Sequence, residues 1–221
     1  MYRLRNRLLF FIVLFSCGRA SGQDSAKPKK IAVLLSPALV PMAPTKLALQ
    51  PGMQVRLHKW SFTAQVAFPV QKPSPNFAST HYLRKSAELK RFFKQQKDLE
   101  EYLSAEVQYA ERSFVDTNGG TYFKGRDEVR YRYSYAAIHS PIRVLMLKAG
   151  VEFPVYKRFF LDAFVGVGAR TIYTRYSEVV NEEYAPWGWF ELNGPKSAYR
   201  YDGTFSKPHI ALGFKFGYIL W

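Results

Sequence analysis

Apolar and polar residues alternate along most of this chain, with a period of two, the spacing at which successive side chains of a strand point to opposite faces. Eight runs carry the pattern: 31–40, 46–57, 60–70, 82–93, 101–115, 143–155, 159–174 and 207–221. Several are long enough for a tilted strand to cross a bilayer. Run 207–221 shows the pattern most fully. Ile210, Leu212, Phe214, Phe216, Tyr218 and Leu220 alternate with Ala211, Gly213, Lys215, Gly217 and Ile219.

The connections alternate as well. Segments 58–59, 94–100 and 156–158 are short; 41–45, 71–81, 116–142 and 175–206 are longer, the last two much longer. Short turns at one end and long loops at the other are the layout of an up-and-down barrel in an outer membrane, with both chain ends on the short-turn side.

Each run has one greasy face. Leu145, Leu147, Ala149, Val151 and Phe153 oppose Met146, Lys148, Gly150 and Glu152. Phe159, Leu161, Ala163, Val165, Val167 and Ala169 oppose Phe160, Asp162, Phe164, Gly166, Gly168 and Arg170. Runs 46–57, 60–70 and 101–115 divide in the same way. The second face mixes small residues with charges of both signs: Arg56, Glu88, Lys90, Glu106, Lys148, Glu152, Asp162, Arg170 and Lys215. In a membrane barrel these nine would lie in the interior; in a soluble barrel they would be a wet surface. Parity alone leaves both open.

Segment 84–106 is ambiguous. It lacks Gly and Pro, and Leu89/Phe92/Phe93 and Leu99/Tyr102/Leu103 repeat at helical spacing. Two strands joined by a turn, or one amphipathic helix, fit this stretch. The helix would leave six strands, fewer than an outer-membrane barrel uses.

The N-terminus bears on the orientation. Arg3, Arg5 and Arg7 precede an apolar run from Leu8 to Cys17, followed by small residues. This is the layout of a secretory signal peptide, and the run is too short for a spanning helix. Residues 1–22 are assigned to the signal, 23–30 to a polar leader and 31–221 to the barrel. Cleavage removes four arginines (Arg3, Arg5, Arg7, Arg19) and no acid, so the formal charge falls from +15 to +11. A basic exported chain calls for an anionic membrane surface rather than nucleic acid. Cys17 in "LFSC" also fits a lipoprotein box loosely, which leaves lipid anchoring open. With Cys17 gone the chain has no cysteine. A soluble protein would be expected to blunt a strand such as 207–221. The signal, the loop alternation and this strand favour the membrane barrel.

Segments "AELKRFF…EYLSAEVQYAERSF", "MLKAGVEFPVYKRFFLDAFVGVGAR" and "HIALGFKFGYILW" resemble the small eight-stranded outer-membrane barrels of the OmpA/OmpX type. They resemble more closely still a family of such barrels known only as a domain of unknown function. The resemblance covers roughly half the chain after the signal. It implies an all-β, eight-stranded antiparallel transmembrane up-and-down barrel in the outer membrane of a Gram-negative-type bacterium. The ending also resembles the terminal signal read by the barrel-assembly machinery, with Phe214, Phe216, Tyr218 and Trp221 as its aromatics. Trp221 departs from the pattern, having the parity of Lys215.

Candidate chemistry is sparse. "GVGART" (166–171) looks like a phosphate-binding turn but lacks a third Gly and a following helix. Its glycines, with Gly150, Gly213 and Gly217, are expected on a crowded interior face. Gly217→Ala is expected to be mild if space permits. His139 and Ser140 are adjacent and would point apart on a strand. Ser79, Thr80 and His81 fall in an expected loop without an orienting carboxylate. The four histidines show no metal spacing. Asp127-Glu128 and Glu182-Glu183 are expected as solvated loop charges. The long loops are rich in Tyr and Arg. They suit a rim facing lipopolysaccharide phosphates, or a surface for a partner protein or glycan. The expectation is a non-catalytic barrel without cofactor, its charged lumen plugged by ion pairs. Its partners are outer-membrane lipid, lipopolysaccharide and the assembly machinery. Two alternatives stand: a secreted or lipid-anchored soluble barrel binding a small apolar ligand, and an outer-membrane acyl hydrolase.

Overall fold

A computed structural model describes residues 30–40, 46–69, 77–96, 99–124, 129–185 and 201–220. The signal segment, Cys17, most of the polar leader, Asp127-Glu128 and Trp221 lie outside the described residues. The strands in chain order are β1 Lys30–Val40, β2 Lys46–Leu57, β3 Trp60–Pro69, β4 Phe77–Gln96, β5 Leu99–Asp116 and β6 Gly120–Lys124. They continue with β7 Val129–Tyr133, β8 Tyr135–His139, β9 Ile142–Tyr156, β10 Phe159–Val180, β11 Glu183–Tyr184 and β12 Tyr201–Ile219.

Eight of these close into a barrel. Each pairs antiparallel with the next in the order β1, β2, β3, β4, β5, β9, β10, β12, and β12 returns to β1. Closure leaves the central strands no open edge. The turns His58-Lys59 and Lys157-Arg158 are two residues long, with φ of 54° at His58 and 48° at Lys157, the left-handed twist that tight hairpins favour.

Residues 84–106 form no helix. They run through β4 and β5, paired from Arg84↔Ala110 to Gln96↔Leu99, with only 97–98 between the strands. The hairpin is longer than the sequence suggests, and its turn is shorter than 94–100. The helical spacing of Leu89, Phe92 and Phe93 is accidental here: Phe92 faces in, while Leu89 and Phe93 face out. Ser79 to His81 also belong to β4, not to a loop.

The two longest connections contain structure. β8 continues β9 past Ser140-Pro141 and keeps its register on β5 and β10, with Ser113↔His139↔Arg175 following Ala110↔Ile142↔Ile172. Pro141 has no N–H to give the ladder, which accounts for the break. β6 and β7 form a hairpin above the barrel, extended by β11 and by a short parallel pairing to β12 at Tyr201↔Phe123. Phe114, Tyr122, Tyr133, Ala136 and Ile138 form its core, with Tyr131 and Tyr176 packed against them. The Tyr122 and Tyr176 rings stack at 4.2 Å.

The greasy face points outward. Val165 and Leu212, register partners, are 51% and 86% exposed, while Lys90 and Asp162 on the inward face are 0% exposed. On β9, β10 and β12 the outward residues are apolar from Val155 to Leu145, Phe159 to Ala169 and Tyr218 to Pro208. Each stretch spans ten residue steps, about 25 Å of height at the usual rise and strand tilt. The first polar row above the belt is Lys85, Tyr109, Arg143, Thr171 and Ser206, joined by register across five strands. Below it stand Trp60, Phe93, Tyr156, Phe159 and Tyr218, all exposed.

Two glycines of the inward face of β12 make room for rings. A Cβ at Gly217 would overlap the Phe160 ring, and one at Gly213 would come within 2.7 Å of Phe164. There is no free space at Gly217, so the mild effect expected of Gly217→Ala does not follow.

Candidate functional site: the barrel interior and its outer lobe

Seven interior side chains form one alternating chain of charges. Glu88 and Glu106 are register partners on β4 and β5, and Glu152 and Asp162 on β9 and β10. Two carboxylates directly opposite each other repel. A lysine answers each pair. Lys148 reaches Glu106 and lies 2.9 Å from Glu88. Lys90 lies 2.6 Å from Glu152 and 2.5 Å from Asp162. Lys215 joins the two halves, paired with Glu88 and 3.7 Å from Asp162. The sequence is therefore Glu106–Lys148–Glu88–Lys215–Asp162–Lys90–Glu152.

Neutral donors complete each carboxylate. Tyr102 donates to Asp162 at 2.5 Å, Ser104 to Glu88 at 2.7 Å, Gln54 to Glu152 at 3.1 Å and Gln108 to Glu106 at 2.9 Å. Rings lie under the cations: Lys90 is 4.4 Å from the Tyr102 centroid and Lys148 is 4.1 Å from that of Phe164. Buried charge is tolerated when it is paired and hydrogen-bonded in this way. A Cβ at Gly150 would strike the Tyr102 hydroxyl, so the network needs glycine there.

The structure thus brings seven of the nine sequence-selected charges together. Arg56 sits nearer the short turns, where it pairs with Glu100 and lies 3.8 Å over the Phe92 ring. Arg170 is separate, in the upper half of the barrel, with no ion-pair partner among the described residues. Glu100 and the neutral donors Tyr102, Ser104, Gln54 and Gln108 are the members not selected from sequence. Tyr102 has the parity of Ser104 and Glu106, which would have placed it. The sequence pattern places Glu100 in a turn. A cavity of about 100 Å³ opens at this end, with Gln54, Arg56, Glu100, Glu152 and Phe160 in its lining. Phe214, Phe216 and Tyr218 all face outward at the end of β12.

The sequence motifs resolve simply. Gly166 and Gly168 lie inside β10, which continues as a strand to Val180. His139 faces out and Ser140 in, where Ser140 accepts from Arg112 at 2.6 Å and lies 2.9 Å from Thr174. Among the described residues no group of His, Cys, Asp and Glu has the geometry to hold a metal ion. Above the belt, Tyr122 donates to Glu182, which also accepts from Lys124 at 3.1 Å. Accepting from Tyr122 holds the Glu182 carboxyl below the usual carboxylate range. Burial and then this same bond push the Tyr122 hydroxyl above the usual tyrosine range.

A closed eight-stranded antiparallel barrel with a filled, ion-paired interior and a lipid-height apolar belt defines the class. It is the closed up-and-down barrel that the sequence resemblance implies. No family model matches the chain, and no curated protein matches it. Among solved structures it is similar to Neisserial surface protein A, at 13% identity and a TM-score of 0.40 over 88% of this chain and 99% of that one. It is also similar to a major outer membrane protein from Thermus thermophilus, at 13% identity and a TM-score of 0.44 over 88% of this chain and all of that one.

Proposed function

We propose that this chain is a non-catalytic integral outer-membrane protein, exported through a cleaved signal peptide. Its barrel anchors the outer lobe, a surface for structural or recognition contacts. The observation that carries the reading is the outward belt. Apolar side chains cover about 25 Å of β9, β10 and β12, between an aromatic girdle and a row holding Lys85, Tyr109 and Arg143. A soluble protein rarely exposes so large a contiguous apolar surface. The aromatic girdle suits one lipid–water interface, and the two cations of the opposite row suit lipopolysaccharide phosphates at the other. The barrel-assembly machinery is the expected partner during insertion.

The test is Val165→Trp. Val165 is outward and mid-belt, so lipid should accept the larger side chain without repacking. The variant is expected to assemble, to need detergent for extraction, and to fluoresce blue-shifted with quenching by brominated lipid chains. An indole insensitive to that quencher, in a protein soluble without detergent, would refute membrane insertion.

A further inference from the structure

Charge is not evenly distributed along the lumen. In the lower half each lysine has two carboxylates. In the upper half Arg170 on β10 and Lys207 on β12 are register partners, both facing inward. Side chains so paired start roughly 5 Å apart at Cβ, close enough for like charges to destabilise each other. Among the described residues neither has an acidic partner, and the Arg170 Nε is buried without a hydrogen bond. His209, two residues along the same inward face of β12, adds two ring nitrogens. Its charged neighbours are Arg170, Arg84, Lys207 and Glu106. Glu106 is already held by Lys148 and Gln108. Arg84 comes from β4; one of its terminal nitrogens donates to Gln50, while its Nε is buried without a partner. Arg84, Arg170, Lys207 and His209 are only partly buried, so each keeps surface open to the lumen.

We infer that this group is an anion site, and that its ligand is a small soluble oxyanion of the phosphate class. Among the described residues these two adjacent cations, with donors left open, have no counter-ion. A guanidinium offers a planar fork that matches two oxygens of one tetrahedral anion, which a halide cannot fill. Lys207 supplies a point charge beside it, and His209 a further donor. The side chains point into the barrel and away from the outer face, so a ligand would meet them from the lumen and not as a lipid headgroup outside. The inference rests on the inward parity of β10 and β12, not on membrane insertion.

Inorganic phosphate is the probe. The full chain, folded in zwitterionic detergent and checked by heat-modifiable gel mobility, is melted in phosphate and in chloride at equal ionic strength. Phosphate is expected to raise Tm by several degrees and to show broadened ³¹P resonances in the protein's presence. Lys207→Gln, at a partly exposed position, should weaken phosphate binding about tenfold or more. It should also melt higher than the wild type in chloride, because one of two opposed cations is gone. Arg170→Gln should do the same; if it fails to assemble, Lys207→Gln and the ³¹P signal decide. An equal phosphate effect in wild type and Lys207→Gln would be a general salting effect and would overturn the site. No phosphate effect at all would overturn it too. A response to phosphatidic acid micelles without one to inorganic phosphate would overturn the lumenal assignment.

Discussion

Lys90 shows what a single interior residue does in this barrel. Its ammonium, fully buried, lies within 2.6 Å of carboxylates on two neighbouring strands. Lys90→Met would leave Glu152 and Asp162 facing each other, with Gln54, Tyr102 and a more distant Lys215 as compensation. Removing one partner of a buried pair typically costs about 3–5 kcal/mol. The expected result is a stability lowered by that amount in denaturant titrations in lipid vesicles, with part recovered by adding Glu152→Gln. A midpoint unchanged by Lys90→Met would mean that water, not lysine, neutralises the two acids. Gly217 makes the complementary point about shape. Its missing Cβ is where the Phe160 ring lies. Gly217→Ala is expected to cost roughly 1–3 kcal/mol as overpacking, and Gly217→Ala with Phe160→Leu to cost less than the single change. Equal losses in the single and the double variant would show that the ring is not the obstacle.

At the scale of strands, alternation was legible because a closed barrel imposes a strict inside and outside. Leu145 against Lys148, or Leu212 against Lys215, can be assigned by parity from sequence. Four things were hidden. Parity does not tell outward from inward, since a greasy face suits lipid or a soluble core. Strand length was underestimated where polar residues continue the ladder beyond the belt, as in Arg175↔His139 above Thr171↔Arg143. The β6–β7 hairpin was missed because its Tyr and Arg residues look like those of a solvated loop, while its packing depends on Phe114, Ile138 and Tyr176 from distant strands. The ion pairs were legible only as a set of inward charges; which lysine meets which acid depends on the stagger of the closed barrel. Strand direction carries its own prediction. Asn118 lies at the lobe end and Lys157 at the short-turn end, both exposed. On the proposed orientation, with the short turns on the periplasmic side, a single cysteine at Asn118 should react with an impermeant thiol reagent on whole cells. One at Lys157 should react only after the outer membrane is opened. The reverse pattern would invert the orientation.

For the whole molecule, the question is whether a closed barrel is also a pore. An eight-stranded barrel is just wide enough for its interior to be filled by side chains. Here Tyr102, Lys90, Lys148 and Asp162 are fully or almost fully buried at its middle, and charges from five strands are tied together across the lumen. An ion crossing would have to displace lysines that are each held by two carboxylates and backed by a ring. Above them Tyr82, Ile142, Val144 and Ile172 form an apolar cluster inside the same barrel. Protein reconstituted in planar bilayers is therefore expected to give no large, steady conductance at moderate voltage. Lys90→Ala with Lys215→Ala, if it assembles, should remain without a porin-like current, because the apolar cluster still narrows the upper lumen. A stable current from folded wild-type monomer would mean that the network rearranges in the bilayer, and would replace the proposed anchoring role by one in transport.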